Sequence, residues 1–335
     1  MVKLNREIVV DIDGILTKET EGFGPEFYPK RTPIKYNIDT LINYKERGFK
    51  IILYSARYEE DYRMTKTWLE KYNVPYDKLI LGKPQGHQYI DDRATNQLDR
   101  EILCFSGGVD SVIAWHYLDK PTALYSMLNH RYQEKEFECI LRLKKVMKDL
   151  TVYFIDGPDM SKHEYGELAY ISQRNLQLTL NASHYGNKIY VCGIKGDMVE
   201  DKTPEAFRVM SFAMNFIQKP TEPQIKIESP FWQMTKTDII KWFLDNYPQD
   251  YVEKVLKTSV SCYDSRILLS CGECPSCFRK WIALESAGIK SFDWFTKDIR
   301  KWKGIEKYKD RIKKGYYDIK RSQETQEVLE KYNLW

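Results

Sequence analysis

Eight short apolar runs recur along this chain, most of them separated by stretches of helical character. The first four are REIVVDI, FKIILYS, DKLILG and HQYIDD; the second four are EILCFSG, TALYSML, LTVYFID and NKIYVCG. Strand–helix alternation predicts parallel sheets covered by helices, with functional residues gathered at the carboxyl ends of the strands. The stretch PIKYNIDTLINYKERG shows the helical half of the pattern, with Pro33 suited to a first turn and Gly48 to a C-cap. The two sets predict an α/β chain of two doubly wound parallel-sheet domains, residues 1–97 and 98–290, meeting in the polar stretch RATNQLDR. A charged helical tail, 291–335, is expected to follow. A chain of 335 residues is long enough for two or three cores.

Composition excludes several classes. A hydrophobic fraction of 42% with 30% charged residues describes a soluble globular protein rather than a disordered one. The opening MVKLNREIVV runs straight into acidic residues, so no signal peptide is expected, and no apolar run approaches membrane-spanning length. A net charge of +4 is too mild to demand a nucleic-acid partner. Seven cysteines without a secretory leader point to reduced thiols and a metal rather than a disulfide scaffold, and to the cytoplasm.

Residues 106–111 read SGGVDS, between an apolar strand and an apolar helix. Glycines there let backbone N–H groups approach an anion, the helix presents its positive end, and Ser106 and Ser111 add hydroxyl donors. The lysine of a Walker A loop is missing, which argues against transfer of a terminal phosphate. The loop resembles that of the N-type ATP pyrophosphatases, and Ser106, Gly107, Gly108, Asp110 and Ser111 carry the likeness. The resemblance implies an adenine nucleotide alpha hydrolase-like fold and cleavage of ATP between its α and β phosphates, with Mg²⁺ assisting. A carboxylate is activated as its adenylate, and a nucleophile then displaces AMP.

Residues 262–277 read CYDSRILLSCGECPSC, placing Cys262, Cys271, Cys274 and Cys277 in a C-x8-C-x2-C-x2-C pattern. Four soft sulfurs without histidine suit a closed structural Zn²⁺. A redox or sulfur-transferring Cys-x2-Cys pair is the rival. Cys104, Cys139 and Cys192 sit in apolar or helical settings and read as packing residues.

From about Glu101 to Leu284 the chain resembles the 7-cyano-7-deazaguanine synthase family, which converts 7-carboxy-7-deazaguanine to the nitrile with ATP and ammonia. SQRN supplies Arg174 and Asn175, CGIKGD supplies Gly193 and Asp197, and the MTKTDI stretch supplies Thr235 and Lys236. The likeness implies substrate-binding roles for Arg174, Asn175, Asp197 and Lys236. One stretch departs from the family: MVEDKTPEAFR stands where the deazaguanine base is usually recognised. There Glu205 and Arg208 are candidate replacements for the family's aspartate and arginine.

The N-terminal set carries a second constellation. In VVDIDGIL, Asp11 and Asp13 lie two apart at a strand end and so point to one side. Ser55 in LYSAR, Lys83 in LGKP, and Asp91 and Asp92 in YIDD follow three further strands. Across residues 6–96 this resembles the haloacid dehalogenase (HAD) superfamily, implying a HAD-like Rossmannoid fold and a phosphohydrolase. By that resemblance Asp11 is the nucleophile, Asp13 the acid and base, and Ser55 and Lys83 the phosphate binders. Asp11, Asp13, Asp91 and Asp92 are then candidate Mg²⁺ ligands. A relic domain is the alternative.

The expected partners are therefore small molecules: ATP, 7-carboxy-7-deazaguanine, and ammonia or another amine. A protein amine, as in QueC-like proteins of antiphage defence, is an alternative acceptor, and homodimerisation is left open. From Lys297 to Arg321 basic residues outnumber acidic ones and alternate with aromatics, a pattern that suits nucleic acid but suits a solvated amphipathic tail better.

Overall fold

The computed structural model describes residues 6–18, 24–85, 98–166, 170–197, 199–219, 222–264, 266 and 268–335. It divides into two compact units, Met1–Arg100 and Glu101–Trp335.

Among its described residues the first unit has three strands and two α-helices: β1 (Glu7–Val10), α1 (Lys35–Glu46), β2 (Lys50–Tyr54), α2 (Tyr62–Lys71) and β3 (Lys78–Ile80). Helix α1 begins two residues after Pro33 and ends at Glu46 with Arg47 as its C-cap; Gly48 follows, with a φ of +84° that glycine allows. The strands pair in parallel in the order β1-β2-β3. Right-handed crossovers between strands laid down in sequence put both helices on one face, so the described sheet has no reversal of order and is not doubly wound. The expected strand at HQYIDD, with Asp91 and Asp92, lies outside the described residues. Ile51 and Leu53 of β2 are buried and join Val10, Leu41, Trp68 and Leu69 in the core, which follows the period-two pattern of a half-covered sheet.

The second unit opens with β4 (Glu101–Cys104), α3 (Val109–Tyr117), β5 (Thr122–Met127), α4 (Gln133–Val146) and β6 (Val152–Asp156). A hairpin, β7 (Glu164–Tyr165) and β8 (Tyr170–Ile171), leads to α5 (Arg174–Ser183) and β9 (Lys188–Tyr190). Then come α6 (Pro204–Ile217), β10 (Lys226–Glu228), α7 (Lys236–Asn246), α8 (Gln249–Thr258), α9 (Pro275–Ser286), α10 (Ile305–Lys313) and α11 (Ile319–Lys331). The five-stranded sheet runs β10-β9-β4-β5-β6 and is parallel throughout. Neighbouring residues serve opposite faces: Leu103, Tyr125 and Tyr190 enter one core, while Ile102, Leu124 and Ile189 enter the other with Phe207 and Met210. This sheet is doubly wound. Its order reverses between β4 and β9, the crevice where such folds bind ligands.

The segment expected as a solvated tail is part of this unit. Ile299, Ile305, Tyr308, Val328 and Leu329 are buried in the larger core. The fully buried Glu285 carboxylate of α9 accepts from Ser291 N–H (2.8 Å), Lys331 Nζ (2.9 Å) and Tyr332 OH (2.8 Å). Charge in the sequence masked an apolar stripe that needed a partner.

Candidate functional site

The SGGVDS loop connects β4 to α3, and Gly108 is the N-cap of α3. Gly107 has φ +74°, and a Cβ there would stand 3.2 Å from Cys139 Sγ and 3.2 Å from Ile140, so the turn is closed to larger residues. The Gly107 carbonyl accepts from Val260 N–H (3.2 Å), and Val109 N–H donates to Ser261 Oγ at 3.4 Å. The loop is thereby tied to the segment leading into Cys262. Asp110, in the first turn of α3, pairs with Lys236, the first residue of α7. Lys236 itself is fixed by a capping box in which Thr235 Oγ1 accepts from Asp238 N–H and Asp238 accepts from Thr235 N–H.

A cavity of about 240 Å³ opens over this loop at the carboxyl ends of β4, β5 and β9. Ser106, Gly108, Asp110, Ser111, Arg174, Asn175, Asp197 and Lys236, singled out in the sequence, line it together. Arg174 Nη1 donates to Tyr132 OH at 2.6 Å, and Asn175 donates to Asp201 through Nδ2 (2.7 Å) and N–H (3.2 Å). Sequence reasoning missed several wall residues: Tyr132, Lys202, Tyr263, Arg279 and Lys280. The buried Lys280 Nζ donates to the Leu256 (2.7 Å) and Ser259 (2.6 Å) carbonyls at the end of α8, and burial draws its pKa down to about 8. Glu205 and Arg208 do not replace the family's base-recognition pair in this cavity. Both are exposed on α6 and neither lines it. Cys104 and Cys192 do line it, yet burial lifts the Cys104 thiol to about 12 and Cys192 higher still, so neither supplies a ready thiolate.

The four late cysteines converge. Their sulfurs all lie within 4.8 Å of one another, with Cys271–Cys277 at 3.9 Å and Cys262–Cys274 at 4.0 Å. A tetrahedral Zn–S shell of about 2.3 Å radius needs sulfurs about 3.8 Å apart, so the set fits zinc with little adjustment. Backbone N–H groups of Asp264 and Cys271 point at Cys262 Sγ (both 3.4 Å) and that of Glu273 at Cys271 Sγ (3.2 Å), donors that favour thiolate. Gly272 is required for the knuckle: its φ is +82°, and a Cβ would stand 2.1 Å from the Lys297 carbonyl oxygen. The cluster fixes the start of α9, and α9 carries Arg279 and Lys280 to the cavity wall.

In the first unit, Asp11 follows β1, Ser55 follows β2 and Lys83 lies three residues past β3. Lys83 Nζ meets Asp11 Oδ2 at 2.7 Å, and Lys83 N–H donates to the Ser55 carbonyl at 3.0 Å. The Ser55 side chain is buried and accepts from Arg57 N–H at 3.3 Å. Asp13 departs from expectation. Its two oxygens are held by Arg57 at 2.8 Å each, with Thr17 Oγ1 at 3.1 Å and Arg31 at 3.4 Å, and the Arg57 guanidinium lies over the Tyr28 ring. Burial alone would raise the Asp13 pKa, but the Arg57 hydrogen bonds and the charges of Arg57 and Arg31 bring it below the usual carboxylate range. The Asp13 side chain is thus engaged by two arginines and a threonine hydroxyl of the protein.

Fold and site together define a class: a parallel α/β domain with a glycine loop at a strand end, whose cavity wall is anchored by a four-thiol cluster. Residues 158–288 match the family model described as queuosine biosynthesis protein QueC. Among the relatives are two proteins named 7-cyano-7-deazaguanine synthase. The one from Campylobacter jejuni subsp. doylei is 27% identical over 228 residues, covering 58% of this chain and 97% of its own length. The one from Chlorobaculum parvum is 27% identical over 222 residues, covering 57% and 93%. A solved structure from Vibrio cholerae, a structural-genomics target, is 34% identical and covers 27% of this chain and 81% of its own, with a TM-score of 0.24.

Proposed function

We propose that the second unit is an ATP-dependent, AMP-forming ligase that activates the carboxylate of 7-carboxy-7-deazaguanine and passes it to ammonia. The single observation that carries this reading is the meeting of Asp110, Lys236, Asp197 and Arg174 with the SGGVDS loop in one cavity of a unit that matches the QueC family model. A substrate carboxylate oxygen attacks the α phosphorus of ATP, the bond to the β-bridging oxygen breaks, and the electron pair leaves with pyrophosphate. The loop N–H groups and Lys236 stabilise that departing charge. Arg174 is placed to hold the acid, and ammonia then attacks the acyl carbon and expels AMP. The departure at 198–208 leaves the acceptor amine as the finer question. Mass spectrometry after incubation with ATP, Mg²⁺ and the acid, with and without ammonia, tests it. AMP with an amide or nitrile supports the reading; a mass adduct on a protein amine moves it to a protein acceptor; ADP as the main product sinks it.

A second reading concerns the first unit, which we propose hydrolyses phosphate monoesters. It is favoured by Asp11, Ser55 and Lys83 converging past the ends of three parallel strands, with Lys83 already on Asp11. Asp11 would attack phosphorus and Lys83 would hold the phosphoryl oxygens. Bound Mg²⁺ would neutralise phosphoryl charge, held by Asp11 with Asp91 and Asp92, which lie outside the described residues. Protonation of the leaving group by Asp13 requires the Arg57 clamp to loosen. Aryl phosphates, whose leaving groups need no proton, are therefore expected to turn over faster than alkyl phosphates; equal rates would show that the leaving group is protonated readily and would count against a clamp that limits Asp13.

A further inference from the structure

A smaller cavity of about 60 Å³ adjoins the main one, and Asp197, Lys236 and Arg279 line both. Four cations border it, Lys195, Lys236, Arg279 and Arg321, against two carboxylates, Asp197 and Glu324. Both carboxylates are partly engaged: Glu324 accepts from Thr237 Oγ1 at 2.8 Å, and Asp197 lies 3.9 Å from Lys202. Among the described residues no hydrogen bond or ion pair engages the Arg279 guanidinium. Arg321 comes from α11, beyond the QueC family match at 158–288. It donates one bond, from Nη1 to the Gly196 carbonyl at 3.0 Å, and rests over the Tyr317 ring at 4.2 Å. Burial, and then the charge of Arg279, lowers the Arg321 pKa, while burial raises that of Glu324. Lys236 is already paired with Asp110, so three cations, two of them guanidinium groups, face two carboxylates in a small space, an excess of positive charge that favours a bound anion.

The position says which anion. The cavity borders the N-terminus of α7 and lies behind Lys236, the partner of Asp110 in the nucleotide loop. Its size suits a phosphoryl group rather than a nucleoside. The helix that brings Arg321 is itself anchored here, since Lys320 Nζ meets both Asp238 oxygens at 2.6 and 2.8 Å. Building on the AMP-forming reading of this site, we propose that Arg321 of the C-terminal helix, with Arg279, binds the terminal phosphates of ATP and retains pyrophosphate as it leaves. The C-terminal segment is then part of the nucleotide site, not only of the core.

Calorimetry on the full chain with magnesium pyrophosphate and, separately, with AMP tests this. Wild type is expected to bind pyrophosphate. Arg321→Ala should weaken that binding about tenfold or more, leave AMP binding unchanged, and raise the inhibition constant of pyrophosphate as a product by the same factor. Arg321→Lys keeps a charge and should recover part of the loss with an unchanged melting temperature, which separates the effect from misfolding. Equal pyrophosphate affinity in wild type and Arg321→Ala overturns the proposal. A wild type that binds AMP but not pyrophosphate overturns it as well, whereas one that binds neither overturns instead the AMP-forming reading on which it rests.

Discussion

Asp13 and Asp110 are both carboxylates paired with a cation, and their surroundings give them different work. Asp13 is a mostly buried charge gripped by a fully buried guanidinium. Replacing Arg57 with Ala removes the main compensation of that charge, leaving only Arg31 and Thr17, and should destabilise the first unit by about 3 kcal/mol. Hydrogen exchange of peptides spanning residues 6–85 reads this directly. The pH dependence has a definite sign. The Asp13 pKa in the folded chain lies below its unfolded value of about 3.9, so its contribution is fully present above about pH 4. It is lost as the pH falls through the folded pKa, and in Arg57→Ala that acid-side loss should shrink. Asp110 is partly open to the cavity and pairs with Lys236 at the SGGVDS loop. Asp110→Ala should cut AMP formation by about 100-fold or more with little change in melting temperature. An unchanged rate would remove Asp110 from the site.

Two elements hold the second unit's cavity in shape: the thiol cluster at the start of α9 and the C-terminal helix packed behind it. The purified protein should carry about one zinc per chain. Cys274→Ser should lower zinc content and melting temperature together, because a closed metal site is folding energy. Loss of activity with full zinc and an unchanged melt would point to a redox pair instead. Leu329 is fully buried, and Leu329→Ala should cost about 2–5 kcal/mol in chemical denaturation. These elements were unequally legible in the sequence. The cysteines and SGGVDS are short local patterns whose spacing alone brings donors together. The C-terminal helices read as solvated because charges surround their apolar stripe. Arg57 and Arg321 were invisible for a related reason. An arginine usually marks a surface, and their partners stand 44 and 125 residues away in the chain. Such pairs exist only once strands and helices are placed. The α/β alternation itself was plain, but the undivided strand order of the first sheet was not, since apolar runs carry no order.

At the scale of the whole molecule, two units carry two separate sets of chemistry-bearing residues at the carboxyl ends of parallel strands. Among the described residues no helix is long and apolar enough to cross a membrane. Asp11→Asn should abolish Mg²⁺-dependent phosphate-ester hydrolysis and spare AMP formation, because the two constellations lie in different units. Loss of both would show that the units are coupled. The central claim is that the second unit activates a carboxylate as its adenylate. An oxygen-18 label on the carboxylate of 7-carboxy-7-deazaguanine tests it most directly, because the oxygen that attacks phosphorus must leave with AMP. Mass spectrometry should find one labelled oxygen in the AMP formed in the presence of ammonia. Unlabelled AMP, or label appearing in inorganic phosphate alongside ADP, would contradict it.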